Sequence, residues 1–172
     1  MIPKRYENAK YDDIPSDIRK YFEAMRESRR GLYIYGGIGT GKTHIAYALV
    51  NVSLEKAKLH TRIWNTTELF HEMRLDMDRS YNNKILPEED IIKHRGIVIL
   101  DDIGSEKISD WVMENFYLIV NSRYNECLPT IFTSNLPIAE LAERISDRTV
   151  SRIVEMCDIF KIDGEDRRIP RR

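Results

Sequence analysis

The sequence predicts an α/β domain, a central parallel five-stranded sheet with helices on both faces, and three observations lead there. Short apolar, β-rich runs alternate with stretches of helical period, the pattern of parallel strands joined by crossover helices. A glycine-rich loop follows the first of these runs and opens a helix. Two adjacent carboxylates follow the most apolar run, which places them at the carboxyl end of a sheet, where open α/β folds bind ligands. The chain has 172 residues, enough for one well-buried domain and too few for two ordinary ones. We therefore expect a single domain over 1–172, with a lead-in and N-terminal helix over 1–30 and the core over 31–172.

Residues 1–15 carry Pro3, Pro15 and mixed charge without a period, and read as an extended lead-in. Ser16 is placed to cap a helix through about Arg29, with Ile18, Phe22 and Met25 on one face. Leu32-Tyr33-Ile34-Tyr35 is the first strand, and Ala46, Leu49, Val50 and Leu54 recur at helical spacing between Ile45 and Leu59. Thr61-Arg62-Ile63-Trp64 is the second strand. Asn65-Thr66-Thr67-Glu68 then carries the polar cap, with an acid three residues on, that marks the start of a helix holding Leu69, Phe70 and Met73. From Asp76 to Asp90 the polar sequence fits either a connection or a second short helix.

Ile97-Val98-Ile99-Leu100 reads as a central strand covered on both faces. Ser109 caps a helix through Glu126 with a buried stripe of Trp111, Val112, Phe116, Ile119 and Val120. Pro129 to Ser134 is the fourth strand, and Pro137 starts another helix. Val150, Ile153, Val154 and Cys157 pattern one more, before a last strand from Asp158 to Ile162 ended by Asp163-Gly164.

Composition excludes several classes. Charged residues are 32% and apolar ones 42%, a globular balance and not a disordered one. A net charge of −1 gives no global attraction for nucleic acid, so such contact must come from local patches. Two are visible, Arg26, Arg29 and Arg30 before the first strand, and Arg167, Arg168, Arg171 and Arg172 at the C-terminus. Cys127 and Cys157 form no C-x-x-C pair, which speaks against a zinc or disulfide framework and for reduced thiols in the cytoplasm. No apolar run approaches the ~20 residues that span a bilayer, and no signal peptide is apparent.

The chemistry is concentrated in two motifs. Gly36-Gly37-Ile38-Gly39-Thr40-Gly41-Lys42-Thr43, followed by His44, fits G-x-x-x-x-G-K-[ST] in full. Its glycines let backbone N–H groups converge on an anion, Lys42 can reach the β/γ-phosphates, and the Thr43 hydroxyl can ligate Mg²⁺. The loop therefore predicts binding of a nucleoside triphosphate. Asp101-Asp102 is the second motif: Asp101 would hold Mg²⁺, and Asp102 would orient or deprotonate the attacking water, with Glu106 as the alternative acid. Asn135 ends the fourth strand, where it suits the γ-phosphate or the water, yet Asn before a proline-containing turn is also ordinary. Arg148 and Arg152 lie one helical turn apart and could share a face.

With these residues in place, the chain resembles the AAA+ ATPase domain of bacterial replicative helicase loaders of the DnaC/DnaI type and, more distantly, the IstB transposition ATPases. The resemblance runs from Ile2-Pro3-Lys4-Arg5-Tyr6 through Ile99-Leu100-Asp101-Asp102-Ile103-Gly104-Ser105-Glu106-Lys107, Phe116 to Tyr124 and Leu128 to Leu136, as far as Ser151-Arg152-Ile153. It implies a three-layer P-loop core of the AAA+ type with little or no C-terminal lid. It implies an ATP/ADP and Mg²⁺ site, Asn135 as the sensor-1 residue, Arg152 as an arginine finger acting in trans, and Arg168 as the sensor-2 arginine. It further implies self-assembly through the ATP site, single-stranded DNA as ligand and a hexameric replicative helicase as partner. Two departures carry expectations of their own. The core begins almost at Met1, so the loaders' N-terminal helicase-binding domain is expected to be absent. Asp102 stands where many AAA+ proteins have Glu, so hydrolysis is expected to be slow. The competing expectations are an IstB-like transposition helper and a nucleotide-binding module without turnover.

Overall fold

Alternation inside the strands sorts the helices into two layers. In β1 (Gly31–Gly36) Leu32 and Ile34 point to one side and Tyr33 to the other, and in β3 (Ile97–Ile103) Ile97 and Ile99 oppose Val98 and Leu100. Both sets are buried, as they must be in a sheet covered twice. The computed structural model describes residues 2–57, 60–77, 87–164 and 166.

All strand pairings are parallel, in the order β2-β3-β4-β1-β5, with β2 spanning Thr61–Asn65, β4 Thr130–Ser134 and β5 Cys157–Ile162. The lead-in, α1 (Ser16–Ser28) and α2 (Lys42–Val52) pack on the Leu32/Ile34/Ile99 face. On the opposite face lie α3 (Thr66–Met77), α4 (Pro87–Lys93), α5 (Asp110–Asn125), α6 (Ile138–Arg144) and α7 (Asp147–Met156). The five-stranded, two-faced parallel sheet is the fold the sequence predicts, and no helix follows β5 among the described residues.

Details differ from the sequence reading for local reasons. The lead-in contains two single 3₁₀ turns, Lys4–Tyr6 and Tyr11–Asp13, and buries Ala9 and Ile14 against the core. Ser16 is the first residue of α1 and not its cap, which is Pro15. Asn65 caps α3, its side-chain oxygen accepting the amides of Thr67 at 3.1 Å and Glu68 at 3.2 Å. The Ser109 cap of α5 forms as expected, accepting the Val112 amide. Val154 is 41% exposed and Cys157 opens β5, so the buried stripe of α7 is Thr149, Val150 and Ile153. Part of the undecided Asp76–Asp90 stretch is helix, as α4, and residues 78–86 lie outside the described ones. Among the described residues no helix is long and apolar enough to cross a membrane.

Arg123 is the strongest departure from expectation. It is 0% exposed, although a charged side chain is almost never fully buried without a partner of opposite charge. Its guanidinium spends its donors on neutral oxygens: the Thr130 hydroxyl at 2.8 Å and the carbonyls of Ile91 at 2.8 Å, His94 at 2.9 Å, Gly96 at 3.0 Å and Pro129 at 3.0 Å. Burial pushes its pKa down to about 9, so it remains charged at neutral pH. One side chain thereby ties α5 to the end of α4 and to the entries of β3 and β4.

Candidate active site

Three strands end along one rim of the sheet, and each delivers part of a single cleft. β1 runs out at Gly36, and residues 37–41 turn the chain into α2, which begins with Lys42 and Thr43. That turn needs positive φ at Gly39 (75°) and Gly41 (101°), which glycine adopts without steric cost. At Gly39 the requirement is doubled, because the Asp166 carboxylate occupies the place a Cβ would take. Lys42 is 6% exposed and folds along the loop, its Nζ donating to the carbonyls of Gly36 at 2.8 Å and Gly37 at 2.7 Å. The Thr40 hydroxyl also donates to the Gly37 carbonyl, at 2.9 Å. The loop is thus braced from within, with the ammonium held at its centre.

β3 brings the two acids, in a geometry the sequence reading did not anticipate. The strand does not stop at Leu100 but continues to Ile103, and its pairing with β4 jumps from Leu100–Phe132 to Ile103–Ser134. Asp101 and Asp102 fall in that irregularity. A bulge re-aims side chains beside a site, and here it divides two neighbouring acids between two tasks. Asp101 turns inward and is 4% exposed, whereas Asp102, at φ 62°, lines the cleft.

β4 supplies the groups that hold both. The Thr133 hydroxyl donates to Asp101 Oδ1 at 2.6 Å and accepts the Asp102 amide at 2.9 Å. Asn135 Nδ2 donates to Asp102 Oδ1 at 2.9 Å. Burial pushes the Asp101 carboxyl above the usual range, opposed by bonds from the Thr133 and Thr43 hydroxyls and by the charge of Lys42. A carboxylate so desolvated, with a threonine hydroxyl against it, is an oxygen donor pair suited to Mg²⁺, whose other positions phosphate and water can fill. Among the described residues no three His, Cys, Asp or Glu side chains converge on a metal site. Thr43 and Asp101 are the residues placed to hold such an ion, which would supply charge neutralisation for phosphate oxygens.

The cleft has a volume of about 490 Å³ and brings together Ile38, Gly39, Gly41, Lys42, Thr43 and His44 with Asp102 and Asn135. Gly36, Gly37 and Thr40 brace its loop, and Asp101 lies behind it. Sequence reasoning missed Arg5 and Tyr6, which form part of the wall. Tyr6 stacks on Tyr47 with ring centroids 4.5 Å apart, and His44 Nε2 pairs with Asp13 Oδ2 at 2.9 Å. The lead-in thus reaches the cleft through contacts that span tens of residues and leave no periodic trace.

Arg152 is not in this cleft. It lies on α7 with its Nε donating to Asn121 at 2.8 Å and its Nη1 to the Arg148 carbonyl at 2.9 Å, its guanidinium 5.0 Å from the Tyr117 ring. Arg148 is 4.3 Å from the same ring, so the two arginines share a face as their spacing predicts. Arg168 lies outside the described residues. Glu106, the alternative acid, is 3% exposed and does not line the cleft.

A parallel sheet in this order, with a glycine-rich loop after β1, acids in β3 and Asn135 after β4, defines a P-loop nucleotide-binding protein of the AAA+ class. Residues 23–172 match the family described as IstB-like ATP binding protein, and the chain belongs to it. Among relatives it is 27% identical to the replicative helicase loader DnaI of Bacillus subtilis over 94% of this chain and 54% of that protein. Among solved structures it is similar to the DnaC helicase loader, with a TM-score of 0.82 and 29% identity, covering 94% of this chain and 100% of that one. A DnaI structure follows at a TM-score of 0.75 and 26% identity, covering 97% and 94%. The chain spans about half the length of the curated relatives it matches.

Proposed function

We propose that this chain binds ATP with Mg²⁺, hydrolyses it slowly, and acts as the nucleotide-controlled part of a protein that places a replicative helicase on single-stranded DNA in the cytoplasm. The observation that carries the reading is the convergence of Lys42, Asp102 and Asn135 on one cleft in a chain related to helicase loaders. Lys42 binds the β/γ-phosphates, Asp102 orients the attacking water, and Asn135 keeps Asp102 and the γ-phosphate in register. The short arm of Asp102 holds the water loosely, which suits a switch better than a motor.

Lys42→Ala is expected to weaken nucleotide binding at least about tenfold, about 1.4 kcal/mol, because the buried ammonium is the cation the loop offers to phosphate. Titration with a fluorescent ATP analogue checks this, and unchanged affinity would remove the loop from the site.

DNA binding follows from assembly. With a net charge of −1, one copy is expected to bind single strands weakly through local contacts on α3 and the polar segment after it, and copies ordered side by side by ATP to bind more strongly. Fluorescence anisotropy with labelled oligonucleotides, with and without a non-hydrolysable ATP analogue, reads both states. Binding should fall steeply with salt and favour single strands over duplex of equal length. Equal or tighter binding to duplex would favour the competing reading, a transposition helper. No binding in any state, and no helicase recovered with the complete gene product, would leave a nucleotide-binding module.

A further inference from the structure

Glu106 is a buried acid for which the cleft has no use. It is 3% exposed in the turn between β3 and α5, with Oε2 3.4 Å from the Thr66 hydroxyl and Oε1 buried without a hydrogen bond. Burial pushes this carboxyl above the usual range, opposed by the backbone amides of Glu106 and Gly104, by the Thr66 hydroxyl and by the charge of Arg144. A buried acid tied into one turn calls for an explanation beyond packing.

Thr66 supplies one. It is the fully buried first residue of α3, and its hydroxyl lies 3.2 Å from the carbonyls of both Asp101 and Asp102 as well as beside Glu106. A single hydroxyl proton therefore faces three acceptors at a node joining α3 to the bulge of β3. The Asp102 carbonyl is held from its other side by Ser105, whose hydroxyl donates at 2.7 Å and whose amide donates at 3.4 Å. Arg144 Nη2 donates to the Glu106 carbonyl at 3.4 Å and anchors the far end of the turn. All of these bonds close around the residue with φ 62°. A side chain other than glycine stays in that region only where its surroundings over-determine it.

We propose that Glu106, through the turn amides of Gly104 and Glu106 that its carboxyl accepts and the Thr66 hydroxyl packed beside it, is a positioning residue that holds Asp102 in its left-handed conformation and so aims its carboxylate into the nucleotide cleft. The proposal rests on the hydrolytic reading above. Glu106 does not line the cleft, so its effect falls on turnover and not on affinity.

The experiment compares Glu106→Ala, Glu106→Gln and Thr66→Val with the parent in steady-state ATP turnover and in analogue titration. Glu106→Ala and Thr66→Val are expected to lower kcat at least about tenfold while KM and analogue affinity stay within about twofold. Glu106→Gln, which keeps the shape and an acceptor oxygen, retains most of the rate. In an Asp102→Asn background, Glu106→Ala has no further effect, because residues acting as one unit are non-additive. Additive losses, or affinity falling in step with kcat, would overturn the proposal. Amide exchange at Asp102 in the nucleotide-free protein is a second readout, independent of turnover: faster in Glu106→Ala and Thr66→Val, and at the parent rate in Glu106→Gln. A parent that hydrolyses no ATP sinks the hydrolytic reading, and the exchange result then decides the positioning. Unchanged exchange in both Glu106→Ala and Thr66→Val overturns it, and if Glu106→Ala fails to fold, Thr66→Val carries the same comparison.

Discussion

Arg123→Met is expected to lose roughly 3–5 kcal/mol of unfolding free energy, because it leaves several buried carbonyls without a donor. The argument is one of leftover acceptors. Methionine fills much of the same volume but donates nothing, so the carbonyls of Ile91, His94, Gly96 and Pro129 stay buried where the guanidinium met them. An unmet buried polar group costs about 1–3 kcal/mol, so two or more carbonyls left without a donor account for a loss of this size. Arg123→Lys recovers only part, since a compact ammonium cannot spread donors over five acceptors in a plane. Urea unfolding followed by circular dichroism measures both variants, and a loss under about 1 kcal/mol for Arg123→Met would show that water replaces the guanidinium.

Arg123 also marks where the sequence stops being readable. Phe116, Ile119, Val120 and Arg123 follow one helical phase, so its position on the buried stripe of α5 was available from spacing alone. Its charge argued the other way, and the acceptors that admit it come from two separate connections, α4 to β3 and α5 to β4. The central strands were legible because both faces of β1, β3 and β4 are covered and their runs are apolar throughout. The phosphate loop was legible because its backbone demands glycine at fixed positions. What was not legible arises from contacts between segments: the bulge that separates Asp101 from Asp102, the double bond of Thr133 to both, and the Thr66–Glu106 node. Thr133-Ser134-Asn135 drew attention for its last residue, while its first makes the most contacts with the acids.

Arg152→Ala is expected to abolish the concentration-dependent part of ATP hydrolysis while leaving nucleotide binding intact. Arginine fingers are worth about 10³–10⁵ in kcat, so even a weakly engaged one dominates the rate. The side chain cannot serve its own cleft in the arrangement described, because it is tied on α7 to Asn121 and the Arg148 carbonyl and lies over Tyr117, with Tyr124 at 5.6 Å. Those contacts are cheap to leave: one hydrogen bond to a neutral side chain, one to a carbonyl, and ring contacts worth about 0.5–1 kcal/mol each when exposed. A neighbouring copy that presents a triphosphate offers the guanidinium a stronger, charge-assisted partner. Specific activity of the parent should therefore rise with protein concentration, and that of Arg152→Ala should stay flat. Mixing gives the sharper test. On the proposed roles, Asp102→Asn lacks the water-orienting acid but keeps the finger, and Arg152→Ala lacks the finger but keeps the acid, so each is expected to be nearly inactive alone. Combined in equal amounts they form complete sites at up to about a quarter of the interfaces if the finger works in trans. Recovered turnover that depends on both concentrations is the expected result. A mixture no more active than its parts, or an Arg152→Ala variant as active as its parent, would place the transition-state cation elsewhere in the chain.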